Sequence, residues 1–351
     1  MATPQPHPAR GAQRLPLDRL EQWRYLGYGM FIHFGMSTFL GEELPHGRHG
    51  ASTYAPDALD VDQWIAVARD AGMTYAVLTT KHVAGHCLWP SDHTDYHVGH
   101  SAETTDVVAA FTDACRRHGL MPGLYYCCWD NHHRFGSVTP TDTHLRWGEE
   151  LGFRRNTRHQ HEAYTTAAYR DFQLRQIEEL LTRYGPIGEM WVDIPGVLGP
   201  EGRRELYDHI VSFNDDIVIM MNHGLSDGLT FDPNYAWPTD LMAIERNLPA
   251  ARGKHGRADG WYRLKLDGGE RRDYWIPAEV CDTIGQAWFH EDADTPRSDA
   301  ELAGMHLLCQ GRGANLLLNV PPDRSGRIPQ RCVDALHRLR NVERSALGPH
   351  R

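Results

Sequence analysis

The chain has 351 residues, 41% of them hydrophobic and 10% aromatic, enough to bury a large core in two domains or in one large α/β barrel. Its net charge of -10 provides no basic stripe, which argues against nucleic acid and anionic membrane surfaces and leaves a small polar molecule as the expected partner. The seven cysteines form no C-x-x-C pair, no stretch of 18 apolar residues occurs, and the start has no apolar leader core; a reducing, cytoplasmic setting is expected.

Residues 1–18, rich in proline, read as a flexible segment, and 19–351 as one catalytic domain. Short apolar strands are expected at 28–35, 74–81, 121–128, 188–194, 217–223, 241–245, 279–285 and 315–320. Amphipathic helices lie between several of them: "DVDQWIAVARDAG", "TDVVAAFTDACRRHG" and "YRDFQLRQIEELLTRYG" carry apolar residues at helical spacing. Alternation of this kind predicts a parallel sheet with crossover helices. No G-x-G-x-x-G or G-x-x-x-x-G-K signature favours a nucleotide-binding sheet. His33, Lys81, His82, Asp193, His223 and Glu245 fall at or just past the ends of different strands, and a (β/α)8 TIM-like barrel brings such ends to one mouth. Two stretches rich in glycine, proline and charge, 136–163 and 246–275, read as walls or lids over it.

Asp193 ends the apolar strand of "EMWVDIPG", and Glu245 ends "TDLMAIE". Taken singly, each reads better as a helix cap or a strand-end ion pair. Paired across one pocket, they form the minimal kit for hydrolysing a glycoside, one carboxyl attacking or activating water and the other protonating the leaving oxygen. Trp89, Trp129, Trp191 and Trp288, with Tyr125 and Tyr126, fall at strand ends or in the following loops, where an aromatic face packs on the C–H face of a sugar. One of the two adjacent tyrosines faces the core, and Tyr126 is assigned to the pocket.

The segments "GMFIHFG", "YAPDALDVDQWIAVARDAGMTYAVLTTKH", "CLWPSDHTDY", "GLYYCCWD", "QIEELLTRYGPIGEMWVD" and "GANLLLNVPPDRSGRIP" together resemble the α-L-fucosidase family of retaining glycoside hydrolases, over about residues 22 to 330. The resemblance implies Asp193 as nucleophile, from the W-x-D motif, and Glu245 as acid/base. Glu279, in "WIPAEVCDT", competes for the acid role or contacts substrate. His33 and His82 are implied as hydroxyl partners, and His86, Trp89, Tyr126, Trp191, His223 and Trp288 complete the expected substrate-binding set. Where the family has K-H-H-D-G-F this chain reads "KHVAGH", where it has N-D-R the chain reads "NHG", and where it has W-G-Y the chain reads "AWFH". The acids are kept while the sugar-facing positions change, so a fucoside or related deoxy-sugar glycoside is expected. No C-terminal β-sandwich is expected after the eighth strand, which suits a small soluble substrate. No metal or cofactor is required by this chemistry. The rival readings are a metal-dependent hydrolase built on His33, His82, His86, "DNHH" and His223, and a sugar binder without activity. The first lacks the H-x-H after the first strand or the H-E-x-x-H usual for catalytic zinc. His93 and His97 read as exposed.

Overall fold

The computed structural model describes residues 13–133, 165–222, 238–250, 261–265 and 271–347, and the side chains of all of these except 261–265 and 343–347. Eight parallel strands form one sheet: β1 (Tyr28–Ile32), β2 (Tyr75–Lys81), β3 (Met121–Cys127), β4 (Glu189–Asp193), β5 (Val218–Asn222), β6 (Met242–Glu245), β9 (Ala278–Thr283) and β10 (Asn315–Asn319). Their order is β5-β4-β3-β2-β1-β10-β9-β6. All eight expected strands are present, each shorter than its expected run by one to three residues.

The ladder does not run between β5 and β6, yet the sheet is nearly closed there by the residues leading into β6. The Asp240 amide donates to the Ile219 carbonyl at 2.8 Å, the Ile219 amide donates to the Asp240 carboxylate at 2.9 Å, and the Met221 amide donates to the Thr239 hydroxyl at 3.1 Å. Asp240 is buried and also accepts from Arg14 at 2.7 Å and Tyr207 at 2.6 Å. Arg14 therefore ties the chain start to the seam. The packed domain begins before residue 19, and residues 1–12 lie outside the described residues.

Helices on the outside are set by local chemistry. Asp60 caps α3 (Val61–Asp70) by accepting from the Gln63 amide, and Asp106 caps α4 (Val107–His118), which ends at Gly119 in the left-handed region with Arg116, Arg117 and His118 in its last turn. Thr166 caps α5 (Ala167–Arg183), and a reciprocal Ser298–Glu301 capping box starts α7 (Asp299–Arg312). Between α5 and α7 lies α6 (Gly199–Phe213), and α8 (Gln330–Leu347) follows the last strand. The short α1 (Leu17–Arg24) closes the N-terminal end of the barrel with the fully buried Trp23, and α2 (Met36–Leu40) follows β1.

One element was not expected. Within 246–275, β7 (Trp261–Lys265) and β8 (Arg271–Trp275) form an antiparallel hairpin. Its charged content reads as loop, but Tyr274 and Trp275 are buried where the hairpin returns to β9. The other long insertion, 136–163, lies outside the described residues.

Removing the Asp240 carboxylate leaves the partly buried Arg14 guanidinium without its counter-charge and the Tyr207 phenol and the Ile219 amide without their acceptor. Asp240→Ala is expected to destabilise the fold by about 3 to 5 kcal/mol in urea unfolding; a loss below about 1 kcal/mol would show that the seam does not depend on it.

Candidate active site

The C-terminal ends of the strands surround a cavity of about 200 Å3 whose lining includes Phe31, His33, His82, Tyr125, Trp191, Asp193, Asn222, Glu245 and Trp288. Asp193 is the last residue of β4 and Glu245 the last of β6. Asp193 accepts from the Tyr125 hydroxyl at 2.6 Å on one oxygen and from the Asn222 amide at 2.9 Å on the other. The same Asn222 nitrogen lies 3.3 Å from a Glu245 oxygen, so one side-chain amide spans both acids. The two legs through that nitrogen hold the bridged oxygens within about 6 Å of each other.

The backbone is strained where it leaves these acids. Among the described residues only Ile194, at φ 50°, and Arg246, at φ 52°, are non-glycine residues in the left-handed region, and each directly follows one of the two acids. For a β-branched isoleucine that conformation is costly, of order 1 to 3 kcal/mol, and it persists only where surrounding packing dictates it. Ile194 itself still lines the cavity, and Arg246 lies over Trp288 at its rim.

Burial, and next the Glu245 charge among the raising influences, push the Asp193 carboxyl up to about 7, against the two donated hydrogen bonds that pull it down. Burial also raises Glu245, opposed by the Asn222 amide and by Arg246. The two acids face one cavity.

Two neutral histidines form the adjoining wall. Burial drives His82 down to about 3, and burial followed by His82 lowers His33 well below the usual imidazole range. The Asn319 amide nitrogen donates to the Trp288 carbonyl at 2.7 Å, so its oxygen faces His33 Nδ1 at 2.8 Å and requires the proton on Nδ1. His33 Nε2 is thereby left as an acceptor. His82 stacks on Tyr125 with ring centroids 5.7 Å apart and 19° between the planes. The aromatic floor is Phe31, Tyr125 and Trp191, with Tyr125 and Trp191 stacked at 5.6 Å, and Arg246 lies over the Trp288 ring at the rim, 4.8 Å from its centroid.

Of the expected residues, the structure brings Asp193, Glu245, His33, His82, Trp191 and Trp288 to this cavity. Four others lie elsewhere. Tyr126 faces outward, accepting from buried Lys81 at 2.9 Å and donating to Gln176 of α5 at 2.8 Å; Lys81 in turn pairs with Asp130 at 3.0 Å. Trp89 is fully buried and donates to Glu179 of α5 at 2.8 Å. His86 stacks on Tyr54 and bonds Ser101 at 2.9 Å. Glu279 lies near the N-terminal end of β9, in the floor of the barrel rather than at its mouth. His223 lies outside the described residues. His97 is buried, not exposed: it caps a short 3-10 turn by accepting from the Gly99 amide at 2.9 Å.

The sequence reading placed Tyr125 among the candidate aromatics but gave the pocket to Tyr126, and it missed Asn222. The register Tyr125↔Trp191, Cys127↔Asp193 and Asp193↔Asn222 places Tyr125 and Asn222 on the inward face with Asp193, whereas Tyr126 pairs with outward Val192. Parity counted back from Asp193 fixes only Trp191 and Glu189 on its own strand; Tyr125 and Asn222 lie on the neighbouring strands and are placed by register. Glu43 and Arg246 at the rim carried no signal beyond their charge.

The family model described as alpha-L-fucosidase matches residues 46–341. The chain belongs to the α-L-fucosidase family. It is 29% identical to alpha-L-fucosidase 1 of Arabidopsis thaliana over 97% of this chain and 62% of that protein, and 25% identical to alpha-L-fucosidase of Dictyostelium discoideum over 80% of this chain and 53% of that one. The chain thus spans between about half and three fifths of the length of these relatives. Among solved structures, alpha-L-fucosidase isoenzyme 1 from Paenibacillus thiaminolyticus superposes with a TM-score of 0.72 at 25% identity, covering 93% of this chain and 75% of that one. The fold is shared with alpha-L-fucosidase AlfC from Lactobacillus casei, with a TM-score of 0.70 at 22% identity over 94% of this chain and 99% of that one. Among the described residues no helix is long and apolar enough to cross a membrane.

Because folding raises the Asp193 carboxyl from its ordinary value of 3.8 to about 7, the folded state holds this proton more tightly than the unfolded chain. Its contribution to stability therefore falls as pH rises from about 4 to about 7 and is level above that. The Tm of Asp193→Asn minus that of the unchanged protein should grow across this window and then plateau. A difference independent of pH would show that Asp193 ionises as freely as in the unfolded chain.

Proposed function

We propose that the chain is a retaining exo-glycoside hydrolase that releases fucose or a related 6-deoxy sugar from small soluble glycosides, with Asp193 as nucleophile and Glu245 as acid/base. The observation that carries this reading is the Asn222 bridge. A carboxyl separation of about 5 to 5.5 Å suits attack by one acid, whereas inverting enzymes place the pair about 6.5 to 9.5 Å apart to admit a water. A limit of about 6 Å between the bridged oxygens favours the first.

Hydrogen bonding supports the division of roles. Asp193 accepts on both oxygens, the arrangement an ionised carboxylate needs, while Glu245 shares only the longer contact with Asn222 and so is free to hold the proton. In the first step the Asp193 oxygen bonds to the anomeric carbon as the glycosidic C–O bond breaks, and Glu245 gives its proton to the departing oxygen. In the second, water passes a proton to Glu245, its oxygen bonds to the anomeric carbon and the Asp193 ester is released. Configuration is retained through two inversions. Neutral His33 and His82 exchange hydrogen bonds with sugar hydroxyls without adding charge beside the developing oxocarbenium ion. A cavity of about 200 Å3 is smaller than the roughly 300 Å3 at which drug-sized sites begin, which favours a single sugar ring.

The names of the Arabidopsis and Dictyostelium relatives point to the same sugar. Val83 lines the cavity as an apolar group where the family motif carries a histidine, and this favours a sugar, or a substituent on it, that differs from plain fucose. The seven cysteines, all free and buried, fit a reducing, cytoplasmic setting.

Asp193→Gly should lower turnover of an aryl glycoside by about a thousandfold or more, with the fold intact by circular dichroism. Glu245→Ala should spare activated aryl leaving groups and regain activity with azide, and proton NMR of the first-formed product should show retention. An inverted product would refute the nucleophile assignment.

A screen of aryl α-L-fucosides against related 6-deoxy glycosides tests the pocket. We expect plain aryl α-L-fucoside to be turned over about tenfold or more below the preferred substrate, and Val83→His to narrow that gap. Plain fucoside as the preferred substrate would rule out a remodelled pocket.

A further inference from the structure

A second carboxyl pair lies at the opposite end of the barrel interior. Glu189, the first residue of β4, and Glu279, the second of β9, are both fully buried beneath the cavity floor and close enough that each acts on the ionisation of the other. Gly29 makes room for the group: a Cβ there would lie 2.5 Å from the Tyr75 ring, which crosses the barrel at this level.

The donors around the pair are distributed unequally. Glu279 accepts on both oxygens, from the Tyr75 hydroxyl at 2.7 Å and from the Trp191 indole N–H at 2.9 Å. Glu189 accepts from the Trp23 indole at 2.9 Å on Oε2, while no donor reaches its Oε1. Two ionised carboxylates in contact here would repel each other in a sealed, largely apolar site. A proton on Glu189 Oε1, donated to Glu279, satisfies every polar atom of the pair at once.

We propose that Glu189 and Glu279 share a single proton, with Glu189 as donor and Glu279 as ionised acceptor, and that this pair is the positioning device for Trp191 in the cavity floor. Trp191 joins the two levels. Its N–H is held by Glu279 from below, and its ring stacks on Tyr125, whose hydroxyl donates to Asp193. Movement of the indole would shift the surface under the sugar.

Other groups facing the pair are consistent with one retained proton. Trp23 of α1, Tyr75 of β2 and Trp191 of β4 each present a neutral donor, and Asn315 of β10 bonds Tyr75 and the Trp23 carbonyl. Arg19 of α1 is the only cation that acts on Glu189 among the leading influences, and it is the weakest of them. Burial raises Glu189 well above the carboxylate range, and burial raises Glu279 as well, opposed by its donors.

Two measurements test the proposal, and the kinetic one rests on the hydrolase reading above. The first is infrared difference spectroscopy at neutral pH on protein carrying both Asp193→Asn and Glu245→Gln, which removes the two raised carboxyls of the cavity. A protonated-carboxyl carbonyl band is expected in this parent, retained when Glu279→Gln is added and lost when Glu189→Gln is added. Absence of the band in the parent, or its survival in the Glu189→Gln protein, overturns the proton assignment whether or not any glycoside is hydrolysed. The second is steady-state kinetics in the otherwise unchanged protein. Glu279→Leu, which removes the acceptor for Trp191, should raise KM about tenfold while changing kcat less than about threefold, and Glu279→Gln, which keeps an acceptor oxygen, should restore KM. Trp191→Phe keeps a ring but lacks the N–H and should give the same split, so the test survives if Glu279→Leu fails to fold. Unchanged KM in Trp191→Phe would overturn the positioning role.

Discussion

The site depends on one side-chain amide lying between two carboxylates that burial would otherwise keep apart or neutralise. Asn222 reaches Asp193 and Glu245 from one nitrogen, and its position is fixed because β5 lies in register with β4, Asn222 beside Asp193. This requires β5 to stay beside β4 and β6 to come close across a seam that has no ladder. Asp240 and Thr239 supply that closure by bonding to the amides of β5. The distance between the acids is therefore a property of the barrel seam as much as of the acids.

Around the bridge, the remaining groups control charge without adding it. Tyr125 and Asn222 donate to Asp193, and both lining histidines are held neutral by burial. The cations in the vicinity are kept in different places. Lys81 is directed outward to Asp130, and Arg246 lies over Trp288 at the rim. An imidazolium or ammonium at the anomeric carbon would oppose the positive charge that develops there, so this arrangement suits acetal chemistry.

The barrel was legible in the sequence because it rests on local signals. Eight apolar runs, capped helices and strand-end polar residues each carry their meaning within about ten residues. Which side of a strand faces the cavity was less legible, since a shift of one residue inverts the face. That is why Tyr126 was expected in the pocket and Tyr125 occupies it. Trp89 and His86 had the composition of a sugar wall but found partners in α5 and in the 96–101 loop, contacts that depend on tertiary packing alone. The β7–β8 hairpin was hidden because within β8 Arg271, Arg272 and Asp273 are exposed and only Tyr274 and Trp275 are buried.

Glu279 shows the limit of motif reasoning most clearly, and it also explains how one barrel interior holds two carboxyl pairs with different tasks. The upper pair opens onto the cavity, follows strand ends with strained exits and is linked by a contact of 3.3 Å on the Glu245 side, so a proton there has access to solvent and substrate. The lower pair is sealed by Trp23, Tyr75 and Trp191, each donating a hydrogen bond of 2.9 Å or less. A proton held in that setting has no acceptor to move to and acts as part of the structure. Chemistry and architecture are separated in this barrel by depth along the same strands, β4 supplying a carboxyl to each level: Glu189 at its start and Asp193 at its end.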